Sequence, residues 1–396
     1  MPHKLIFMEH AVETLGYFSR ELSLYFQEKE YQIFFVDMKN QEKSVRHLVK
    51  FIKPGQTALI TFNFIGLSGE QTFEEREGYS IWESRNIALH CILVDHPLYY
   101  HKQLEHRPKN LTLYCIDRQH IEYLHRYYPD IICHFLPLAG NYLMQEHAII
   151  KQELIPYHER QYDVALIANY VHLPTIEEHF TSQTQEYIDF YHEILNHLRM
   201  HPNEALDPCF EQFVLREVPE ASDRELLSAY AGMLFLDMYN RTYFRERTVQ
   251  MLVDHGVKVH VFGKDWEKLK VEHPENLIPS GAQLDSAGCV KVIQNTKIAL
   301  NTMPWFKDGA HDRIFTAMLN GAVSLTDSSK YLKERFTDGR ELCFYELEQL
   351  SELPGMVRKM LTESERMEQI TRRAYEQAAK ADTWYQRAAL LETYIL

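Results

Sequence analysis

Short apolar runs alternate with segments of helical periodicity along the first part of the chain. The runs predict strands at 5–8, 31–36, 58–64, 89–94, 111–116 and 131–136, with helices at 12–28, 45–52 and 118–127. Strands that alternate with helices form a parallel sheet whose two faces are covered by those helices. The pattern therefore predicts a doubly wound α/β domain.

The alternation starts again after a polar stretch, 145–161, that contains Pro156. Strands are predicted at 162–168, 257–262, 277–279, 298–301 and 322–326, helices at 313–320 and 350–361, and one or two further helices at 364–396. Helical spacing at 175–200, 209–216 and 223–255 predicts a helical insertion at about 170–250. A chain of 396 residues exceeds one ordinary core, so we expect two domains, 1–155 and 156–379.

The insertion is rich in aromatic residues, which we expect to form its core. The alternative is a surface that recognises an acceptor or forms a homodimer. The residues concerned are Tyr187, Phe190, Tyr191, Phe210, Phe213, Tyr230, Tyr239, Tyr243 and Phe244.

The net charge of −14 argues against a nucleic-acid partner, because the phosphate backbone attracts basic proteins. A local basic pocket still suffices for a small anion. The six cysteines contain no C-x-x-C pair, and Cys91, Cys115 and Cys133 lie in apolar runs. We therefore expect free, buried thiols there and no disulfide framework.

No stretch of the sequence has the composition of a membrane segment. Residues 1–10 lack the apolar core of a signal peptide, and no window approaches the roughly 20 apolar residues of a bilayer span. We expect a cytoplasmic protein with no membrane span.

Polar and basic residues follow the strands of the stretch 297–345. Asn301 ends one strand, Asp308 lies in the loop after it, His311 and Arg313 open the next helix, and Asp327 ends the following strand. Ligands of open α/β sheets bind at such strand ends and helix starts. A histidine and an arginine beside a positive helix end suit a pyrophosphate; the alternative is a solvated helix start.

A second group follows the predicted strand 257–262. Gly263 would let the backbone approach a ligand, Lys264 would balance phosphate charge, and Trp266 would cover a base or a sugar. The alternative is a surface lysine and a half-buried tryptophan.

The stretch 300–341 resembles the C-terminal domain of CgeB-type (spore-maturation-like) glycosyltransferases, in the glycosyl transferases group 1 superfamily. The similar residues read Leu300-Asn301 … Gly309-x-His311-x-Arg313-x-Phe315-x-Ala317-x-x-x-Gly321-Ala322-x-x-Leu325-Thr326-Asp327 … Leu332 … Phe336-x-Asp338-Gly339-x-Glu341. The resemblance implies a bacterial enzyme of GT-B fold, in which two Rossmann-like domains face each other across a cleft. It also implies that a C-terminal helix, about 380–396, packs back on the first domain.

The resemblance further implies transfer of a sugar from a nucleotide-diphosphate sugar, most simply a UDP-sugar, to a hydroxyl of a glycan, lipid or protein in that cleft. No cofactor or metal is expected, because basic side chains and helix ends hold the diphosphate in this superfamily. The stretch His192-Glu193-x-x-x-His197 is one residue too long for the zinc signature H-E-x-x-H.

The acceptor side of such enzymes lies in the first domain, where a histidine after the first strand is often the general base. His10 occupies that position, and a histidine suits proton abstraction because the ordinary pKa of its side chain lies near neutral pH. Asp95 and His96, after the fourth strand, form the rival pair, in which Asp95 would orient His96. The sequence leaves the two open.

One departure from the related retaining enzymes keeps other functions open. Their E-x(7)-E motif aligns with Asp308 and Thr316, so the second glutamate is absent. The stereochemistry is therefore unassigned. The alternatives are a nucleotide-sugar 2-epimerase and a non-catalytic protein that binds nucleotide sugar or a protein partner.

Overall fold

The structure is a computed structural model that describes residues 3–76, 79–145, 148–149 and 153–395. The chain forms two compact units. Unit 1 comprises Met1–Asn141, Gln145–Ile149 and Ala381–Leu396, and unit 2 comprises Tyr142–Met144 and Ile150–Lys380. Residues 146–147 and 150–152 of the predicted polar junction lie outside the described residues.

Ten strands lie before residue 150 in the described part of the chain. They are β1 (Lys4–Glu9), β2 (Gln32–Asp37), β3 (Thr57–Phe62), β4 (Glu74–Arg76), β5 (Tyr79–Ser80), β6 (Ala88–Leu93), β7 (Leu111–Cys115), β8 (Ile132–Phe135), β9 (Met144–Gln145) and β10 (Ala148–Ile149). Six of them build the main sheet of unit 1, which is parallel and has the order β2-β1-β3-β6-β7-β8, while β4 pairs with β5 and β9 pairs with β10. Every residue of β3 is buried, as in a strand covered on both faces.

The helices of unit 1 before residue 141 connect these strands. They are α1 (Glu13–Glu28), α2 (Gln41–Phe51), α3 (Ile81–Ser84), α4 (His101–Glu105) and α5 (Arg118–Tyr127). The apolar side of α1 carries Leu15, Phe18, Leu22 and Phe26 at helical spacing, and all four are buried. The side chain of Asp117 caps α5 by accepting from the backbone N–H of Gln119.

Unit 2 contains a second parallel sheet. Its strands are β11 (Tyr162–Ile167), β12 (Val259–Phe262), β13 (Leu277–Pro279), β14 (Thr296–Asn301), β15 (Val323–Asp327) and β16 (Cys343–Tyr345). Their order is β13-β12-β11-β14-β15-β16. The order reverses between β11 and β14, which opens a crevice at the carboxyl ends of these two strands.

A helical insertion joins β11 to β12. It consists of α6 (Leu173–Thr181), α7 (Gln185–Met200), α8 (Leu206–Glu217), α9 (Asp223–Gly232) and α10 (Leu234–Asp254). The later helices are α11 (Ser286–Gln294), α12 (Asp312–Leu319), α13 (Lys330–Arg335), α14 (Leu353–Thr362) and α15 (Ser364–Ala381). Short 3-10 turns occur at Gln71–Phe73, Pro97–Tyr100, Tyr157–Glu159, Trp266–Lys268, Pro274–Asn276 and Leu347–Glu352.

The last helix, α16 (Trp384–Ile395), belongs to unit 1 and packs on α1. The ring of Trp384 lies 4.5 Å from that of Phe18, and Tyr25 donates to the Glu392 carboxylate at 2.5 Å. Arg387 donates to the carbonyl oxygens of Pro137 and Leu138 and pairs with Asp382 at 2.9 Å. The buried guanidinium thereby ties the start of α16 to the segment that follows β8.

The structure confirms the α/β class, the parallel sheets and the helical insertion. It divides the predicted helices 175–200 and 223–255 in two, at Ser182–Thr184 and at Met233. It also adds α11, which the sequence analysis did not predict. Most of the aromatic residues of the insertion are core residues as expected, whereas Tyr187 is 55% exposed.

All six cysteines are free; Cys91 and Cys115 are buried as predicted, whereas Cys133 is only half-buried. Among the described residues, no helix has both the length and the apolar composition that a bilayer crossing requires.

Candidate functional site

Arg313 lies where the order of the second sheet reverses. It is the second residue of α12, which follows β14, and its Nη1 donates to the carbonyl oxygen of Ile167, the last residue of β11, at 2.9 Å. The side chain therefore spans the crevice between the two strands. Burial lowers the pKa of Arg313, so its charge lies in a poorly solvated place.

His311 caps α12 beside Arg313. Its Nδ1 lies 3.3 Å from the backbone nitrogen of Arg313, from which it accepts when unprotonated. The same Nδ1 lies 2.6 Å from the Asp312 carboxylate, to which it donates when protonated. Burial and the neighbouring Arg313 charge lower the pKa of His311. The imidazole is thus neutral at neutral pH unless an anion binds beside it.

Two further arginines approach from α10, and the sequence analysis did not include either. Arg245 Nη1 donates to the carbonyl oxygen of Asn169 at 3.0 Å, two residues beyond the carbonyl that Arg313 contacts. Its buried Nε has no hydrogen-bond partner among the described residues. Burial, followed by repulsion from Arg313 and Arg241, lowers the pKa of Arg245 to about 9.

Repulsion between like charges at Arg245 indicates a place where an anion would be stabilised. Arg241 pairs with Asp237 at 2.5 Å. The neighbouring Asp312 and Asp327 raise the pKa of Arg313 against the effect of burial. Arg245 donates to a backbone carbonyl, and burial together with the charges of Arg313 and Arg241 lowers its pKa. An anion bound beside Arg245 would relieve this repulsion. The crevice therefore has the electrostatics of a site for a phosphate or diphosphate group.

Gly263, at the end of β12, has a structural reason to be glycine. Its φ is +151°, and a Cβ there would collide with the carbonyl oxygen of Ala168. The backbone N–H of Lys264 donates to the side chain of Asn169 at 3.0 Å, and the Lys264 side chain is exposed. Lys264 thus lies at the same strand ends as Arg245.

The prediction that Trp266 covers a base or a sugar is wrong in this structure. Trp266 is 0% exposed and belongs to the hydrophobic core of unit 2. Its Nε1 donates to the carbonyl oxygen of Ala168 at 2.6 Å. A side chain packed in this way fixes the ends of β11 and β12 and presents no face to a ligand.

Asn301 and Asp327 anchor the loop between β14 and α12, and both are buried. Asp327 accepts from the backbone N–H of Met303 at 2.7 Å, and Asn301 Nδ2 donates to Thr326 at 2.9 Å. Burial raises the pKa of Asp327 to about 7, against the lowering effect of the Met303 hydrogen bond and the Lys307 charge. Both side chains thus position the loop, and their contact with the donor stays a prediction.

The Asn301 side chain also carries an unsatisfied acceptor. Neither its Oδ1 nor the hydroxyl of the adjacent Thr302 has a hydrogen-bond partner among the described residues. Such buried groups cost free energy, and they mark the end of β14 as a place where a bound polar group would be stabilising.

The rest of this loop places aromatic rings beside the cations. Trp305 and Phe306 lie 6.1 and 6.0 Å from the His311 ring, and the Arg241 guanidinium lies 4.5 Å over the Trp305 ring. Asp308 is buried, 3.8 Å from Lys330 Nζ. Trp305 is only half-buried, so it replaces Trp266 as the aromatic candidate for a base or a sugar.

In unit 1, His10 follows β1 at the point where the order of that sheet reverses, between β1 and β3. It has a φ of +64°, a strained value of the kind that collects at functional sites. Its Nδ1 lies 2.9 Å from Oδ1 of Asp37, the last residue of β2, and 42% of its side chain is exposed. Donation from Nδ1 to Asp37 leaves Nε2 as the basic nitrogen.

The rival pair, Asp95 and His96, has hydrogen bonds to several neighbouring groups. His96 is buried, and its Nδ1 accepts from the backbone N–H of Leu98 at 3.1 Å, which makes it the cap of a 3-10 turn. Asp95 accepts from Asn63 at 3.2 Å and from Tyr100 at 3.3 Å. These hydrogen bonds run to other partners, and the orientation of His96 by Asp95 stays a prediction.

The residues that the sequence analysis did not include are Asp37, Arg241, Arg245 and Trp305. Arg241 and Arg245 are four residues apart, so they lie on one face of α10. The sequence shows this spacing, but it does not show which part of the structure this face of α10 approaches. Asp37 was missed because the partner of His10 depends on which strand lies beside β1.

Comparison with known proteins addresses the family and the fold. Residues 241–393 match the model of a family described as glycosyl transferase-like. No curated protein sequence matches the chain.

Solved structures match the whole length of the chain at low identity. Sucrose-phosphate synthase from Thermosynechococcus elongatus is 9% identical with a TM-score of 0.54, over 99% of this chain and 98% of that one. Anabaena HepE in complex with UDP-glucose is 8% identical with a TM-score of 0.52, over 99% of both chains. T4 phage BGT in complex with its UDP-glucose substrate is 12% identical with a TM-score of 0.52, over 99% and 98%. Residues 241–393 are thus a glycosyl transferase-like sequence, and the chain has the fold of the GT-B glycosyltransferases.

Proposed function

We propose that the protein is a glycosyltransferase that moves a sugar from a UDP-sugar to an acceptor hydroxyl. The arginines Arg241, Arg245 and Arg313, with the neutral His311 beside them, carry this proposal, because a bound anion would relieve the repulsion that adds to burial in lowering the pKa of Arg245. The glycosyl transferase-like match of residues 241–393 supports the reaction class. The UDP-glucose named with HepE and with T4 phage BGT supports the choice of donor.

In this proposal the diphosphate lies against Arg245 and Arg313. As the bond between the sugar and the diphosphate breaks, negative charge grows on the leaving oxygen, and fixed cations stabilise it without reorganising. His311 becomes protonated when the diphosphate binds and adds a third positive charge. The residues thus supply the charge stabilisation that a divalent ion provides elsewhere, and we propose that the transfer is independent of metal. Trp305 packs against the base or the sugar.

His10 is the proposed general base. Asp37 holds its Nδ1–H, so Nε2 accepts the proton of the acceptor hydroxyl while that oxygen attacks the anomeric carbon. A single displacement of this kind inverts the configuration at that carbon. The position that holds the second glutamate in retaining relatives holds Thr316, a buried residue of α12, which favours the same outcome. We assign the protein to the CgeB-type group within this class on the motif string 300–341.

A thermal-shift screen with UDP, GDP, CMP, dTDP and their sugar conjugates tests the donor site. A ligand at about 100 times its dissociation constant stabilises the folded state by about 2.7 kcal/mol, or a few degrees for a chain of this size. We expect a shift with UDP compounds that is lost in Arg313→Ala. The matched control is Arg247→Ala, which removes an exposed arginine of α10 and should leave the shift intact.

Product analysis then separates the reaction classes. Transfer to a glycan, lipid or protein acceptor, abolished in Arg313→Ala, supports the proposal. A rearranged nucleotide sugar formed without acceptor would indicate an epimerase. A UDP shift without turnover over any acceptor would indicate a non-catalytic binding protein, and no shift with any nucleotide would contradict the donor site itself.

A further inference from the structure

The turn between α7 and α8, within the helical insertion, brings together three side chains of different chemistry. His197 lies in the last turn of α7, Glu204 lies in the connecting loop, and Cys209 lies in the first turn of α8. His197 Nε2 and Glu204 Oε2 are 2.6 Å apart. The candidate ligand atoms of all three residues lie within 4.8 Å of one another.

This set has the composition of a transition-metal site. An imidazole nitrogen, a carboxylate oxygen and a thiol are the ligands that Zn²⁺ takes in proteins. Bonds of about 2.0–2.3 Å place the ligands of a tetrahedral zinc roughly 3–4 Å apart. The three atoms fit such a site after small side-chain rotations. We propose that His197, Glu204 and Cys209 bind a zinc ion.

Burial separates this cluster from an ordinary surface ion pair. Cys209 is 0% exposed, while His197 and Glu204 keep 24% and 29% of their side-chain exposure. The thiol therefore lies on the protein side of the cluster and the other two groups on the solvent side, which leaves a route by which an ion enters. A hydrogen bond between His197 and Glu204 explains their contact, but it does not explain why a thiol lies beside them.

His201 is the candidate for a fourth ligand. The ring of His201 lies 4.6 Å from the ring of His197, measured between centroids, and His201 is exposed. The ligands then have the spacing H-x3-H-x2-E-x4-C, which is compact enough to close around one ion. His192, from the H-E-x-x-H pattern that was excluded above, is not one of these ligands, because its ring packs against that of Phe180, with 5.3 Å between the ring centroids.

The position of the turn gives the metal a consequence. Lys307, in the loop that leads to His311 and α12, donates to the carbonyl oxygen of Pro202 in this turn. Asn203 Nδ2 donates to Glu348 at 3.0 Å. A metal that fixes residues 197–209 therefore also fixes the support for that loop. The inferred role is structural, since the ligands are distinct from the arginines of the proposed donor site.

Binding of Co²⁺ to the purified, chelator-treated chain tests the site. We expect about one equivalent of Co²⁺ to bind, with the near-ultraviolet charge-transfer band of a cobalt–thiolate bond, and zinc should displace it. Absence of the band in the folded wild-type chain would overturn the proposal, and this readout needs no variant.

Variants then locate the ligands. Cys209→Ser should abolish the thiolate band, and Glu204→Gln, which removes a half-exposed group, should weaken cobalt binding at least tenfold while the band keeps its position. The control is Cys133→Ser, because Cys133 also lies beside a histidine, at 3.4 Å from His125, but without a carboxylate in that pair. A band retained in Cys209→Ser and lost in Cys133→Ser would overturn the assignment.

Zinc content and thermal melting provide the last check. The chain purified without chelator should carry about one zinc, and its melting temperature should fall on chelation by more than that of Glu204→Gln. Equal responses of the two chains would show that the cluster is only a hydrogen-bonded pair.

Discussion

The two sheets of this protein use the same strand edge for opposite charges. In unit 1, Glu9 and Asp37, at the ends of β1 and β2, lie beside His10. Asn63 and Asp95, just after β3 and β6, are hydrogen-bonded to each other. In unit 2, the ends of β11 and β14 are approached by Arg245 and Arg313. A parallel sheet thus offers a crevice at its carboxyl edge, and the residues that enter it decide whether it suits a base or an anion.

The two edges also differ in how their polar groups are satisfied. Glu9 pairs with Arg20 at 2.6 Å, and Asp37 accepts from Asn40 and His10. These hydrogen bonds lower the pKa of Asp37 to about 2, so it stays ionised and holds His10. At the arginine edge, burial lowers the pKa of Arg245 and Arg313, and repulsion from Arg313 and Arg241 lowers that of Arg245 further. We infer that the polar groups of the first edge are satisfied by other protein groups, whereas the arginines of the second edge are stabilised further when an anionic ligand binds.

His10→Ala gives the largest expected effect and separates the two edges. Loss of the general base should lower turnover by roughly 100-fold or more, while the UDP-dependent thermal shift stays unchanged. Steady-state kinetics and the shift assay, run on one preparation, check both. The control is His47→Ala, an exposed histidine of α2. A lost shift in His10→Ala would place His10 in the donor site instead.

Arg245→Ala should weaken UDP binding by about tenfold, because one charge-assisted hydrogen bond contributes roughly 1.5–3 kcal/mol and relief of repulsion offsets part of it. Calorimetric titration with UDP measures the change. Arg247→Ala, two residues further along the same helix, is the matched control. An unchanged affinity in Arg245→Ala would restrict the anion site to α12.

Asp327→Asn should change how stability depends on pH. The pKa of Asp327 is raised to about 7 in the folded state and lies near 4 when unfolded, so the folded state holds this proton more tightly. Its contribution to stability is complete below pH 4 and is lost as the pH rises to about 7.

The variant stays neutral and should lose less stability than the wild type between pH 5 and pH 8, as measured by urea unfolding. Asp189→Asn, at an exposed position of α7, is the control. Parallel pH profiles for the wild type and Asp327→Asn would contradict the burial argument.

Lys264→Ala should have the smallest effect, a two- to threefold loss of UDP affinity, since an exposed cation contributes about 0.5 kcal/mol. The effect should vanish at high salt, whereas that of Arg245→Ala should persist, because screening acts mainly on exposed charges. Lys268→Ala, in the adjacent 3-10 turn and paired with Asp265 at 2.6 Å, is the control. A salt-resistant loss in Lys264→Ala would mean direct contact with the nucleotide.

Elements covered on both faces were the easiest to predict. Strands such as β3 and β7 read as continuous apolar runs, and α5 begins and ends where its cap and periodicity indicate. The breaks at Ser182–Thr184 and Met233 were missed, because helical spacing continues through both. Local periodicity indicates which face of a helix is buried. It does not indicate where the helix is interrupted so that its buried face keeps packing against a neighbouring element.

The site was predictable where its residues are adjacent in sequence. His311 and Arg313 were found because they open a helix after a strand. Arg245 lies 68 residues before Arg313, and Asp37 lies 27 residues after His10, so their proximity depends on strand order. Trp266 failed for another reason: an aromatic residue after a strand has the same sequence pattern whether it faces a ligand or the core.

The helix α16 has a consequence for synthesis of the chain. It completes unit 1 by packing Trp384 on Phe18 and by placing Arg387 on the carbonyls of Pro137 and Leu138. On the ribosome, about 240 residues of unit 2 separate these partners, and domains fold as they emerge. The part of α1 that Trp384 covers is therefore exposed until translation passes residue 384, although Phe26 and Phe18 also pack on Phe7 and Phe62 of the sheet. We therefore expect chaperones to bind unit 1 of the nascent chain, although most of unit 1 is synthesised before unit 2.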